Sequence, residues 1–109
     1  MADASASSRA AEKARRQEAR AVVAGYHQEE LRRLLDRVRA GFAQLDAGAI
    51  DEFELDDLIH RYKKAAARLW SFCGSSGSHW VSAANAIQRW RDQGASPRDW
   101  WEEVAPRGR

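Results

Sequence analysis

The residue types best suited to chemistry meet in residues 69–80, LWSFCGSSGSHW, where Cys73 and His79 flank a Gly/Ser-rich loop. A thiol with an imidazole in reach is the beginning of a covalent catalyst. The base takes the thiol proton, and a third group holds the base in the productive orientation. The sequence supplies no such third group beside this pair, and no local signature of a cysteine enzyme surrounds it. The run Gly74-Ser75-Ser76-Gly77-Ser78 lacks the G-x-S-x-G spacing of a nucleophile elbow and the lysine of a phosphate-binding loop. It retains the capacity to offer backbone N–H groups to an anion at the start of the next helix. Cys73 therefore reads as a small buried hydrophobe and the loop as a corner between helices, so neither catalytic residues nor an enzymatic activity are expected.

Metal chemistry is the second possibility, because Asp57 and His60 stand at i, i+3 and so do His27 and Glu30. Carboxylate and histidine at that spacing are the ligand pairs of helical di-metal proteins. On a helical wheel His60 falls about 140° from the centre of its apolar stripe, which directs it to water. His27 lies on its stripe as a half-buried, hydrogen-bonded histidine. Neither a metal nor a cofactor is expected.

The elements that carry these residues follow from apolar spacing. Residues 1–20 are Ala, Ser, Arg, Lys and Glu without a stripe, and read as a flexible or helical polar tail. Residues 21–109 read as a single helical domain. Its first helix carries Leu31, Leu34, Leu35, Val38, Phe42 and Leu45 on one face and stops near Gly48. The second helix places Leu55, Leu58, Ile59, Tyr62, Ala66, Leu69, Trp70 and Cys73 on one face. Acidic residues come first and basic residues follow, an order that suits the helix dipole and pairs such as Asp57 with Arg61. Gly74 ends that helix, and Ser76 or Ser78 caps the next. The third helix spans about 79–92, with Trp80, Ala83, Ala84, Ile87 and Trp90 inward and Ser82, Asn85 and Arg89 outward. Gly94 stops it. SPRDWWEEV then reads as a short fourth helix with Ser96 as N-cap, Pro97 first and Asp99 three residues after the cap. The fold class expected is all-α, a small three-helix bundle with a short fourth C-terminal helix. Helices two and three form an antiparallel hairpin, with helix one against both.

The centre of the second helix carries a family likeness. The segment ELDDLIHRYKKAAARLWSFCGSSGSHW, with its acidic start, I-H-R-Y centre and L-W-x-F-C-G end, resembles a group of short uncharacterised all-helical proteins of high-GC actinobacteria over about residues 50–80. The resemblance implies no activity and no functional residues. It implies a bacterial, cytoplasmic origin.

Composition narrows the function classes. The chain has 109 residues, 44% of them apolar, a net charge of +2 and one cysteine. That is enough for one modest core, without room for a large cofactor cavity. An internal disulfide is impossible, and neither an apolar leader nor a membrane-length apolar run is present, so a cytoplasmic setting without membrane contact is expected. All five tryptophans fall in the last forty residues. Trp70, Trp80 and Trp90 belong to core faces. Trp100 and Trp101 are neighbours on one helix and point about 100° apart, so one of them is expected at the surface as an anchor for a partner or second subunit. The alternative is that both fold back, one into the bundle end and one over Arg98. The function expected is a non-enzymatic interaction or accessory protein, self-associating as a homodimer or bound to another protein. The alternative is nucleic-acid binding or regulation, using Arg15, Arg16 and Arg20 of the basic N-terminal arm with Asn85 and Arg89 of the third helix.

Overall fold

The computed structural model describes residues 2–74, 77–94 and 98–106, with side chains from residue 7 onward except at 77 and 78. It is all-α: α1 Ala2–Asp46, α2 Glu52–Cys73, α3 Gly77–Gln93 and the short α4 Trp100–Glu103. Among the described residues there is no strand. The polar segment 1–20 is helical from Ala2 and continuous with the first stripe, as its wealth of Ala, Arg, Glu and Lys favours. The tail takes one part in the core, since Ala19 is buried.

The chain divides into two compact units, and the division falls inside α1, after Tyr26, and inside α2, after Ser71. The first unit holds residues 1–26 and 72–97. Ala19, Val23 and Tyr26 of α1 and Ala83, Ala84 and Ile87 of α3 are its buried apolar side chains, together with Cys73. Tyr26, Phe72 and Trp90 form one aromatic cluster, with Tyr26 edge-on to Phe72 at 5.8 Å between centroids and Phe72 stacked on Trp90 at 5.5 Å. Arg20 lies over the Trp80 ring at 5.0 Å.

The second unit holds residues 27–71 and 98–109. Its centre is an antiparallel helical hairpin, residues 27–46 of α1 against 52–71 of α2. At the closed end, a Cβ on Gly41 would stand 2.9 Å from Leu55 Cδ1 and 3.1 Å from Leu58 Cδ1, so the ends of these two leucine side chains pack directly on the Gly41 backbone. At the far end the His27 ring meets Trp70 edge-on at 4.3 Å. Gly48 turns the chain out of α1 with φ +76°. Asp51 and Glu54 then open α2 as a reciprocal cap that the sequence reading overlooked. The Glu54 N–H donates to Asp51 Oδ1 at 2.8 Å, and the Asp51 N–H donates to Glu54 Oε1 at 3.2 Å.

Three expectations need correction here. The buried line of the second helix runs through Leu55, Ala65 and Leu69, with Ala66 half-buried and Trp70 61% exposed. The contact arc is rotated by roughly 40° on a 100°-per-residue wheel toward Arg61, because α4 is seated on that side. On α1, Leu34 is buried while Leu35 and Phe42 are 44% and 49% exposed, so the apolar stripe is wider than the single helix packed against it. Finally, the N-cap of α4 is Asp99, which accepts the Glu102 N–H at 3.0 Å. Ser96 and Pro97 lie outside the described residues.

Candidate functional site

The Cys73–His79 corner is built by the end of α2 and the first turn of α3. Cys73 is 2% exposed, and burial pushes its thiol up to about 11, the direction opposite to that of an activated nucleophile. His79 is directed at the backbone of the corner: a Cβ on Gly74 would stand 2.5 Å from its ring Cγ. Gly74 holds φ +67°, the left-handed conformation of a helix stop. The residue thus has two independent reasons to be glycine, and both concern the turn. Ser75 and Ser76 lie outside the described residues.

The two carboxylate–histidine pairs have different fates. His60 is exposed, and its Nδ1 lies 2.9 Å from the Asp56 carbonyl oxygen and 3.5 Å from Asp56 Oδ2, so its neighbour is the residue four before it and not Asp57. His27 and Glu30 do face inward. Glu30 is 5% exposed, and burial holds its carboxyl above the usual glutamate range against the opposing pull of Arg33, with Glu29 and Asp99 adding to the rise. Its Oε2 pairs with Arg33 Nη1 at 3.4 Å. His27 is lowered by burial, and its Nε2 is buried without a hydrogen-bond partner, which corrects the expectation of a hydrogen-bonded histidine. Among the described residues no group of three or more His, Cys, Asp and Glu side chains is placed to hold a metal ion.

Both C-terminal tryptophans are inside. Trp100 is 2% and Trp101 7% exposed, so the geometric basis for a surface indole at α4 is gone and the fold-back arrangement is the one adopted. What makes room for the second indole is a set of arginines. Arg61 lies over the Trp101 ring at 4.1 Å and Arg37 at 5.5 Å. Arg61 also donates from Nε and Nη2 to the Trp101 carbonyl oxygen at 3.1 and 2.8 Å. Arg98 lies over Trp100 at 4.0 Å while its Nε donates to Glu103 Oε2 at 2.8 Å. The expected Asp57–Arg61 pair is replaced, since Arg61 turns to α4 and stands 3.6 Å from Glu102 Oε1. The arginines that cover Trp101 are forty and sixty-four positions away in sequence, beyond the reach of any local pattern.

Two surfaces formed by the described residues are open. The first belongs to the α1–α2 hairpin. Leu35, Phe42 and Trp70 are exposed on the side opposite α4, with Leu31, Val38, Ile59, Tyr62 and Ala66 half-buried beside them. The second is a shallow cleft of about 230 Å³ in the other unit, lined by Arg15, Glu18, Val22, Val81, Asn85 and Gln88 among others. Arg15 and Arg16 also line an adjoining hollow with Glu12 and Val81. The structure therefore gathers Arg15, Arg16 and Asn85 in one place. Arg20 instead lies over Trp80, and Arg89 is exposed outside the cleft lining.

Among the described residues no helix is long and apolar enough to cross a membrane. No family model, curated protein or solved structure matches the chain.

Proposed function

We propose that the protein is a non-enzymatic interaction protein that works by presenting an apolar helical face to a protein partner, in the reducing cytoplasm of a bacterial cell. The observation that carries this reading is the run of exposed Leu35, Phe42 and Trp70 on one side of the hairpin. Large apolar side chains exposed together, with their flanks half-buried, mark contact surfaces more often than singly scattered ones do. The reading places the contact on the hairpin and leaves Trp100 and Trp101 the task of fixing α4. The test is photo-crosslinking in the native cell with a benzophenone amino acid at Phe42, and with the same probe at exposed Lys64 as control. A discrete protein adduct from position 42 alone supports the proposal. Equal or absent adducts from both positions end it.

The meeting of Arg15 and Asn85 in one cleft, with Arg16 in the hollow that adjoins it, favours a second reading, nucleic-acid binding by that unit. Glu12 and Glu18 share the lining and weaken the attraction for phosphates. Retention on DNA that falls steeply with salt, and falls further in Arg15→Ala and Arg16→Ala, is the expected signature of that reading.

A further inference from the structure

We propose that the face of the α1–α2 hairpin carrying Leu35, Phe42 and Trp70 is covered by the same face of a second copy of this chain, so that two hairpins close into a four-helix layer. The inference rests on the interaction reading above and names its partner.

The geometry of the hairpin sets the size of the occupant. Each of its helices contributes twenty residues, positions 27–46 and 52–71. At 1.5 Å per residue that is a length of about 30 Å. Two helices about 9 Å apart, each about 10 Å across, present a face roughly 20 Å wide. The product is about 600 Å², the lower end of the roughly 600–1,000 Å² that each partner buries in a stable dimer.

The placement of the exposed side chains sets its shape. Leu35 and Phe42 lie two turns apart on the outer flank of α1, and Trp70 lies on the outer flank of α2. The surface needing cover thus spans both helices and is not a groove between them. A lone amphipathic helix, about 10 Å across, would fill the middle and leave both flanks wet. A layer of two helices covers the whole width, and a second copy supplies such a layer with the same stripe.

Charge points the same way. Between the seam and the exposed flanks α1 presents His27, Leu31, Leu35, Val38, Phe42 and Leu45, with no Lys, Arg, Asp or Glu. On α2 Ile59, Tyr62 and Ala66 continue this, and the outer flank that carries Trp70 also carries the exposed Glu52 and Lys63. Such a face, without charge on α1 and with one acidic and one basic residue on the α2 flank, gives a strongly charged partner little to pair with and carries no net charge that would repel its own copy. A chain of net charge +2 also meets little repulsion from its own copy. Such an isologous contact closes at two subunits, and α4 is seated on the other side of each hairpin, where it does not obstruct the contact.

The experiment is light scattering on the full chain from about 1 to 100 µM, beside the variants Leu35→Glu, Phe42→Glu, Trp70→Glu and the control Lys64→Glu. The expected result is a mass twice the 12.3 kDa of one chain. Each of the three face variants should weaken the dimer at least tenfold while circular dichroism shows unchanged helix content. The control should leave the mass unaltered. A wild-type chain that stays at 12.3 kDa throughout overturns the inference, and so does a dimer that all three substitutions leave intact. Irradiation of purified protein bearing a benzophenone amino acid at position 35 is the second measurement, independent of how the face variants fold. A covalent dimer is expected, and its absence overturns the inference. If position 35 joins no second copy but position 42 yields a protein adduct in the cell, the second-copy inference falls and the interaction reading stands. If neither position gives any adduct, both fall.

Discussion

A thiol that keeps its proton up to a pH of about 11 has no useful nucleophilicity near neutrality, and Cys73 should behave accordingly. Native protein should label slowly with a thiol reagent and denatured protein quickly. The linkage has a definite sign. The folded-state value is raised above the ordinary thiol value of 9.0, so the contribution to stability is full below pH 9 and is lost as pH rises toward 11. A melting curve series over that window should show the loss, and Cys73→Ala should abolish the dependence. Glu30 follows the same logic at lower pH. Its carboxyl is raised mainly by burial, so ionisation opposes folding as pH climbs through the glutamate range. Glu30→Gln should therefore melt higher than wild type at pH 7, with the difference closing as pH falls below that range. A lower melting temperature at pH 7 would show that the pair with Arg33 outweighs burial. The burial of Cys73 was legible from its place on an apolar stripe. The burial of Trp101 was not, because the guanidinium groups that cover it come from α1 and α2, and sequence spacing on α4 carries no trace of them.

At the scale of elements, the attachment of α4 depends on Arg61. Replacing it by leucine removes two hydrogen bonds to a part-buried carbonyl and a cation over an indole, and should cost about 2–3 kcal/mol in urea unfolding. Arg61→Lys should recover little of this, since an ammonium cannot reproduce two donors in one plane. The glycines divide by what surrounds them. Gly25 is in the interior of α1 with nothing within 4 Å of an added Cβ, so Gly25→Ala should stabilise by about 0.5–1 kcal/mol. Gly74→Ala meets both a positive φ and the His79 ring, and should cost at least about 1–2 kcal/mol. If the two substitutions have similar effects, the turn at Gly74 is not the constraint described. Helix number and the stops at Gly48, Gly74 and Gly94 could be read from the sequence, because local backbone chemistry sets them. The position of the buried arc on α2 could not, because it depends on which side α4 occupies. The Asp51–Glu54 cap had a signal, an acceptor followed three residues later by glutamate, hidden among the other acidic residues of that turn.

On the scale of the whole chain, the N-terminal part of α1 separates into a portion that packs and a portion that does not. Every described side chain from 7 to 18 is exposed, whereas Ala19, Val23 and Tyr26 are buried. Deleting residues 1–18 should leave the melting temperature nearly unchanged. Deleting residues 1–26 should lower it by many degrees, because the partners of Trp80 and Trp90 go with it. The three long helices and the short fourth one were legible in the sequence. The division of the chain inside α1 and α2 was not, because both helices continue through it without a break in periodicity. The smallest element has a consequence for how the chain opens. A four-residue helix is far too short to persist alone, so α4 exists only while arginines from two other helices hold the Trp101 indole. Its amides of Glu102, Glu103, Val104 and Ala105 donate only within this segment. In deuterated solvent those four should therefore exchange together, and before the amides in the middle of α2, each time the C-terminal end detaches. Their common rate is a clock for the release of Trp100 and Trp101, and in Arg61→Leu that clock should run faster while the middle of α2 keeps its own time.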